Sequence, residues 1–174
     1  MKPGRPEDGE FAAYAKSDID YVAGDDAIAA LRDQEQLVLN LFGAFSDDTA
    51  AGVTYAPGKW TLKEVLGHLI DDERIFAYRA LCVARGDERP LPGFDENEYV
   101  AGANFEQRTL ADLLADYRSV RQASIALFAS LSDEASLRRG TVNGYSASAR
   151  GLAFHVAGHE LHHLRTLHGR YLRK

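Results

Sequence analysis

Four stretches of the sequence repeat their apolar residues with the period of an amphipathic α-helix. They cover about residues 25–45, 61–85, 109–131 and 147–172. We find no strand-like alternation bounded by hairpin turns between them, and no internal repeat. Because each stretch carries one apolar stripe that must be buried, the pattern predicts an all-α protein in which four helices pack as a single bundle.

Local sequence signals mark the ends of the predicted helices. Thr61 and Glu64 have the Ser/Thr-x-x-Glu spacing of a capping box, in which two side chains satisfy free backbone N–H groups at a helix start. Gly86 is typical of a helix C-terminus. Thr109 and Asp112 provide a similar start for the third helix. These signals support the boundaries that the apolar period indicates.

Two segments fall outside the predicted helices. Residues 1–24 are predicted to form an N-terminal arm, and residues 25–174 a single four-helix bundle domain that binds a metal. The arm's expected apolar anchors are Phe11, Tyr14 and Tyr21. Between the second and third helices, the sequence Pro90-Leu-Pro-Gly-Phe94 excludes a continuous helix. We therefore expect a long ordered loop here, serving either as a site wall or as a surface crossover.

Composition excludes several classes of partner. The chain has 26 acidic and 20 basic residues, so its surface should repel nucleic acid. The single cysteine, Cys82, cannot form an intrachain disulfide and is interpreted as a small buried apolar residue. No run approaches the roughly 18 apolar residues of a membrane span, and no signal peptide is recognised. We expect a cytoplasmic protein that binds neither nucleic acid nor membrane.

Histidine is concentrated in the fourth predicted helix. That helix contains five of the six histidines, namely His155, His159, His162, His163 and His168. At about 100° per residue, His159 and His163 lie about 40° apart inside the apolar stripe, one turn from each other. His155 and His162 flank the stripe and His168 lies opposite, so these three are interpreted as solvent-facing or as supporting groups. Two imidazoles spaced in this way can bind one metal ion.

The remaining histidine, His68, lies near the inner face of the second predicted helix. Alone it would be a hydrogen-bonded core residue more often than a metal ligand. The second and fourth helices can be neighbours in a bundle, however, where metal sites form between facing helices. The sequence therefore predicts that His68, His159 and His163 bind a divalent metal, with zinc or nickel foremost and iron, copper or manganese as alternatives.

Three consecutive carboxylates follow His68, at Asp71, Asp72 and Glu73. They could orient the imidazole N–H groups, and Asp72, one turn beyond His68, is the best placed for direct contact with the metal. The alternative is that they form surface ion pairs with Arg74 or Arg79.

The string His159-Glu-Leu-His-His163 also matches the His-Glu-x-x-His motif of zinc proteases, in which the glutamate is the general base. The position of the third metzincin ligand is occupied by Gly169, and Thr166 replaces the required glycine. With the sequence ending at Lys174, no more distant glutamate is expected. We therefore disfavour a protease and interpret Glu160 as solvated or as a supporting group near the metal.

Three segments resemble the DinB-like family, in the branch similar to YfiT that includes bacillithiol transferases. They are Trp60-Thr-Leu-Lys-Glu-Val-Leu-Gly-His68-Leu-Ile-Asp71-Asp-Glu73-Arg, Leu91-Pro-Gly-Phe-Asp95 and His155-Val-Ala-Gly-His159-Glu-Leu-His-His163. The resemblance covers nearly the whole chain. It implies an up-down-down-up four-helix bundle, frequent dimerisation, and a metal bound by His68, His159 and His163. It also implies transfer of a low-molecular-weight thiol to an electrophile.

Together these features favour a metal-dependent transferase that uses a low-molecular-weight thiol on an electrophilic small molecule, or a metal-dependent hydrolase. Catalytic residues beyond the metal ligands are not identified. The aromatic residues Trp60, Phe94 and Tyr99 either line a substrate pocket or belong to the core. The alternatives are a structural or sensory metal site, and an interaction protein with a vestigial site.

Overall fold

The computed structural model describes residues 4–172, and helices account for most of them. In chain order the helices are α1 (Lys16–Ile19), α2 (Ala27–Gly43), α3 (Asp47–Gly52), α4 (Leu62–Ala84), α5 (Glu96–Ala103), α6 (Leu110–Ser130), α7 (Asp133–Leu137) and α8 (Ala149–Thr166). The strands are β1 (Arg139–Val142) and β2 (Tyr145–Ser148). Short 3-10 turns at Ala13–Ala15 and Phe105–Gln107 and a π-helical turn at Leu167–Tyr171 complete the secondary structure. The predicted four-helix bundle is confirmed, and α2, α4, α6 and α8 form it.

Each bundle helix begins at a side chain that accepts backbone hydrogen bonds. The capping residues are Asp26, Thr61, Thr109 and Ser148. At the start of α4, the Thr61 hydroxyl accepts from the backbone of Glu64 while the Glu64 carboxylate accepts from the backbone of Thr61, so the predicted capping box is confirmed.

Helices α4 and α8 are antiparallel neighbours. His68 contacts His159, whereas Phe76, two turns later in α4, stacks on His155, one turn earlier in α8. Later residues of α4 therefore contact earlier residues of α8, and the two helices pack along their length. This arrangement brings the histidines of the two helices together.

Helices α4 and α6 instead run in the same direction. Lys63, near the start of α4, donates to the backbone carbonyl of Arg108, just before α6. Glu73, at the middle of α4, binds Arg121, at the middle of α6. Two parallel helices require a connection that returns along the bundle, and α4 with its 23 residues is about 34 Å long. Residues 85–109 form this connection, which confirms the predicted long loop, and α5 lies within it.

Helix α2 is antiparallel to α6. The backbone of Leu31 accepts from Arg121, and Glu35, one turn later in α2, pairs with Arg118, earlier in α6. Together the pairings give up-down-down-up directions for α2, α4, α6 and α8, with α2 and α4 on opposite corners. Both α2 and α4 therefore contact α6 and α8.

The sequence predicts no β-hairpin, and on this point the prediction was wrong. A β-hairpin joins α7 to α8. Strands β1 and β2 pair antiparallel around Asn143 and Gly144, whose φ angles are 48° and 81°. Two successive residues with positive φ are the requirement of a type I′ hairpin turn, which an Asn-Gly pair satisfies. Leu91 of the α4–α6 crossover adds to the edge, since its backbone bonds to Thr141 and Asn143. The hairpin thereby anchors the crossover.

The N-terminal segment packs on α8. The buried Glu10 carboxylate accepts from the Arg150 guanidinium and the Ser148 hydroxyl at the start of α8. Phe11 is buried as predicted, but Tyr14 and Tyr21 are exposed, so they are not apolar anchors. The division of the chain at residue 25 stays a prediction, and residues 1–3 and 173–174 of the two predicted segments lie outside the described part.

Candidate metal centre

The structure brings His68 of α4 together with His159 and His163 of α8. The Nε2 atoms of His68 and His159 are 3.3 Å apart, and those of His163 and His159 are 3.2 Å apart. All three side chains offer a nitrogen within 4.8 Å of the other two. His159 and His163 point the same way because they are separated by one helical turn, as the sequence predicts.

These spacings fit a metal ion. With Zn–N bonds of about 2.0–2.1 Å, two nitrogens of a tetrahedral site are separated by about 3.3–3.4 Å. The His68–His159 and His163–His159 nitrogen pairs already have this ligand spacing. Imidazole suits zinc, nickel, copper and iron alike. The donor set fits a divalent metal and does not by itself select one.

Two of the three imidazoles are held neutral by their surroundings. Burial lowers the pKa of His68 to about 4, and the positive charge that His159 can carry contributes to the shift. Burial also lowers the pKa of His163 well below its ordinary value, again with repulsion from His159 and His68. Neutral rings keep a nitrogen lone pair at neutral pH, which is the form that binds a metal.

Asp72 orients the third imidazole. Nδ1 of His159 lies 3.2 Å from a carboxylate oxygen of Asp72, and both groups are largely buried. Burial alone would lower the pKa of His159, but the attraction and hydrogen bond of Asp72 outweigh it and raise the pKa. The carboxylate fixes the proton on Nδ1, so Nε2 faces His68 and His163 with its lone pair. Asp72 thus lies behind His159 rather than among the nitrogens of the cluster.

Asp71 and Glu73 both point away from the histidines. Asp71 pairs with Arg74 on the surface of α4, at 3.4 Å. Glu73 is buried on the opposite side, where Arg121 of α6 donates to both of its oxygens. Neither carboxylate supplies a ligand atom to the cluster.

Glu160 is also turned away, and the expectation that it is solvated is wrong. It is only 2% exposed, and its carboxylate accepts from Arg121 at 2.7 and 3.2 Å and from the Tyr117 hydroxyl at 2.8 Å. Because Arg121 binds Glu73 at the same time, a buried network ties α4, α6 and α8 together. A general base facing a bound substrate is not available from Glu160 in this position.

The other histidines have three different environments. His155 is buried, stacked between Phe76 at 3.9 Å and His159 at 5.6 Å between ring centres. Burial lowers its pKa to about 4, so it is a neutral packing partner of the cluster. His162 is exposed and bonds to Asp18, and His168 is exposed. None of the three joins the ligand group.

A cavity of about 310 Å³ adjoins the cluster on the side of His163. Trp60 covers the site, with its ring 4.8 Å from that of His68 and stacked at 6.4 Å on that of His163. The Tyr171 hydroxyl donates to the carbonyl of Trp60 and fixes this cover. Of the three aromatic residues singled out in the sequence, Trp60 lines this cavity, whereas Phe94 and Tyr99 lie elsewhere.

Several polar or aromatic residues at this cavity were not anticipated. Among them are Lys59, Arg170 and Tyr171. Lys59 directly precedes Trp60, but the other two come from the π-helical turn Leu167–Tyr171 that follows α8. Nothing in their local sequence signals a shared cavity with Trp60.

A profile of the DinB superfamily matches residues 7–167. The chain belongs to the DinB superfamily. A search of curated protein sequences found no match.

Solved structures with this DinB fold include YfiT from Bacillus subtilis, described as a probable metal-dependent hydrolase with an unusual four-helix bundle topology. It aligns with a TM-score of 0.75 and 15% identity over 96% of this chain and 91% of its own. A mycothiol-dependent maleylpyruvate isomerase aligns with a TM-score of 0.67 and 13% identity, over 79% of this chain and 57% of its own. At these identities the matches establish the fold alone.

The profile match places this protein in the DinB superfamily, and its histidine cluster is a candidate site for a metal ion. Among residues 4–172, none of the helices has both the length and the apolar composition needed to cross a membrane.

Proposed function

We propose that this DinB-superfamily protein is a metal-dependent transferase that joins a low-molecular-weight thiol to an electrophilic small molecule. The reaction forms a carbon–sulfur bond, displaces a leaving group with its electron pair from that carbon, and releases the thiol proton to solvent. His68, His159 and His163 would hold the metal. Zinc or nickel is the ion that we expect, and a homodimer is the assembly that we expect.

The observation that carries this proposal is a ligand group of three beside a cavity. Structural zinc sites generally have four protein ligands, whereas catalytic sites have three and leave a position for water or substrate. Across residues 4–172, the group consists of His68, His159 and His163. The three carboxylates that follow His68 have other partners, since Asp71 pairs with Arg74, Glu73 with Arg121, and Asp72 with Nδ1 of His159. The arrangement therefore favours chemistry over a purely structural site.

Each part of the site has a separable role. A divalent ion bound there would lower the pKa of a coordinated thiol or water. Asp72 holds His159 in the tautomer that presents Nε2 to the cluster. Trp60 shields the imidazoles of His68 and His163 from solvent on one side. The cavity of about 310 Å³ is large enough for a small molecule.

The thiol must come from outside the protein. Cys82 lies fourteen residues after His68 in α4, which places it about 21 Å farther along the helix axis. It cannot reach the cluster. A nucleophilic thiol at this site is therefore exogenous, and the mycothiol dependence of the isomerase with the same fold supports this choice.

A second candidate is a metal-dependent hydrolase, in which water replaces the thiol. The description of YfiT, whose structure aligns over more of this chain than that of the isomerase, favours it. The same ligand group and cavity serve either reaction, so the two candidates differ only in the nucleophile.

The test uses metal-loaded protein with 1-chloro-2,4-dinitrobenzene as electrophile and bacillithiol, mycothiol, glutathione or cysteine as thiol. We expect thioether formation that depends on one thiol, is lost in His163→Ala, and persists in the matched control Cys82→Ser. A parallel assay measures hydrolysis of 4-nitrophenyl acetate without thiol. Metal-dependent hydrolysis with no thioether would replace the transferase by the hydrolase. No metal-dependent turnover in either assay would favour a structural or sensory site.

A further inference from the structure

Arg79 of α4 is a buried cation that has no carboxylate partner in the described part of the chain. Its side chain is 4% exposed. Across residues 4–172 it forms one hydrogen bond, from Nη2 to the Pro92 carbonyl at 2.6 Å, and no ion pair. Arg121, the other deeply buried arginine, is matched by two glutamates. An unpaired buried charge is costly, so the surroundings of Arg79 need an explanation.

Aromatic rings compensate part of this cost. The Arg79 guanidinium carbon lies 4.7 Å from the ring centre of Phe76 and 5.5 Å from that of Phe94. Such cation–π contacts are favourable, but an aromatic ring has no lone-pair oxygen or carboxylate to accept the guanidinium N–H groups. A guanidinium has five N–H donors, and the protein engages one of them with a carbonyl. Donor capacity and positive charge both remain.

Arg79 lines a second cavity of about 300 Å³, between α4 and the crossover. The walls are mainly apolar and aromatic, with Ile75, Tyr78, Leu91, Pro92, Phe94 and Tyr99 among them. None of the described residues that line it is acidic. The other charged lining residue, Arg74, is already paired with Asp71 and Asp116. This cavity shares no lining residue with the cavity beside His163.

The rim of the cavity exposes aromatic surface. The Tyr78 side chain is 56% exposed and that of Tyr99 is 49% exposed. Exposed aromatic surface next to a cavity is typical of a binding site. A ligand with a flat apolar body would cover these rings while its charged end approached Arg79. Ligand cavities commonly combine apolar walls with a few polar groups that fix orientation.

We propose that this cavity binds a small aromatic carboxylate, with its carboxylate on the Arg79 guanidinium and its ring against Phe94 and Tyr99. A carboxylate accepts the paired N–H groups of a guanidinium more strongly than a neutral group does. The site is separate from the histidine cluster and does not depend on the metal.

The test is titration of phenylacetate into metal-loaded protein by calorimetry, with phenylacetamide as the neutral analogue and acetate as the ring-free anion. We expect saturable binding of phenylacetate at least tenfold tighter than that of either analogue. Arg79→Met should lower phenylacetate affinity at least tenfold. The matched control Arg74→Met removes a cation that is already paired, and should change affinity less than threefold.

Two further measurements cover other outcomes. In His163→Ala, phenylacetate affinity should stay as in the wild type, because the carboxylate does not use the metal centre. Since Arg79 also ties Pro92 to α4, its loss could disturb the fold, so Tyr99→Ala serves as a second variant and should weaken binding at least threefold. In the wild-type protein, nuclear Overhauser effects should connect the ligand ring to Phe94 and Tyr99.

Three results would overturn the proposal. The first is equal affinity for phenylacetamide and phenylacetate, since the charge on Arg79 would then contribute nothing. The second is a larger loss in Arg74→Met than in Arg79→Met. The third is a set of Overhauser effects to Trp60 and Tyr171 instead, which would place the ligand in the cavity beside the histidines.

Discussion

Replacing Glu160 by glutamine separates a structural role of this residue from a catalytic one. In the structure, the Glu160 carboxylate is buried and accepts hydrogen bonds from Arg121 and Tyr117, on the side away from the histidine cluster. The substitution keeps the shape of the side chain but removes its charge. It also turns an amide NH₂ toward groups that are themselves donors.

The cost can be worked from those contacts. Hydrogen bonds to charged groups contribute about 1.5–3 kcal/mol each, and breaking a buried ion pair costs about 3–5 kcal/mol. Arg121 keeps Glu73 as a counterion in the variant, so we expect a loss at the lower end of the range for breaking a buried ion pair. We expect Glu160→Gln to lower the free energy of unfolding by about 3 kcal/mol, a large share of the 5–15 kcal/mol typical of a domain.

Urea unfolding of metal-free protein, followed by circular dichroism, measures this loss. The matched control is Glu134→Gln, because the Glu134 side chain is 81% exposed and pairs with Arg138 on the surface. It should change stability by less than about 0.5 kcal/mol. Metal content should be the same in both variants and in the wild type. A loss below about 1 kcal/mol in Glu160→Gln, or loss of metal at unchanged stability, would refute the assignment of Glu160 to the buried network.

Two further predictions concern Asp72 and Glu10. Asp72→Asn should lower metal affinity about 10–100-fold while the circular dichroism spectrum stays unchanged, because His159 loses the carboxylate that orients it; competition with a chelator measures this, and unchanged affinity would contradict it. Burial alone would raise the pKa of Glu10, but hydrogen bonds from Arg150 and Ser148 lower it from 4.5 to about 2. The ionised carboxylate therefore contributes stability that is full above the unfolded pKa and is lost as pH falls toward the folded pKa. The stability difference between wild type and Glu10→Gln should shrink by about 2 kcal/mol between pH 6 and pH 3; a difference independent of pH in urea unfolding would rule out this role.

The long helices were predictable because their signals are local. The capping box at Thr61 and Glu64 and the glycine at Gly86 depend on residues close in sequence, and α4 accordingly runs from Leu62 to Ala84. The hairpin was missed although Asn143-Gly144 is itself a strong turn signal. Its strands have four residues each, with few buried apolar side chains, so no alternating pattern identifies them.

The metal-binding cluster was predictable to the extent that helix geometry determines it. The one-turn spacing of His159 and His163 fixes their common direction. The orientation of the acidic residues was not predictable, because it depends on partners from distant helices. Glu160 turns away from the site because Arg121, 39 residues earlier, lies buried beside it. Asp72 contacts Nδ1 of His159 across the packed faces of α4 and α8, two helices that are distant in sequence.

The metal content of purified protein tests the central claim most directly. Elemental analysis should find about one divalent metal ion per chain in the wild type and a loss of that ion in each of His68→Ala, His159→Ala and His163→Ala. The matched control is His162→Ala, which removes an exposed neighbouring histidine outside the ligand group and should retain the metal. Wild-type metal content in His159→Ala, or an equal loss in His162→Ala, would contradict the three-histidine site.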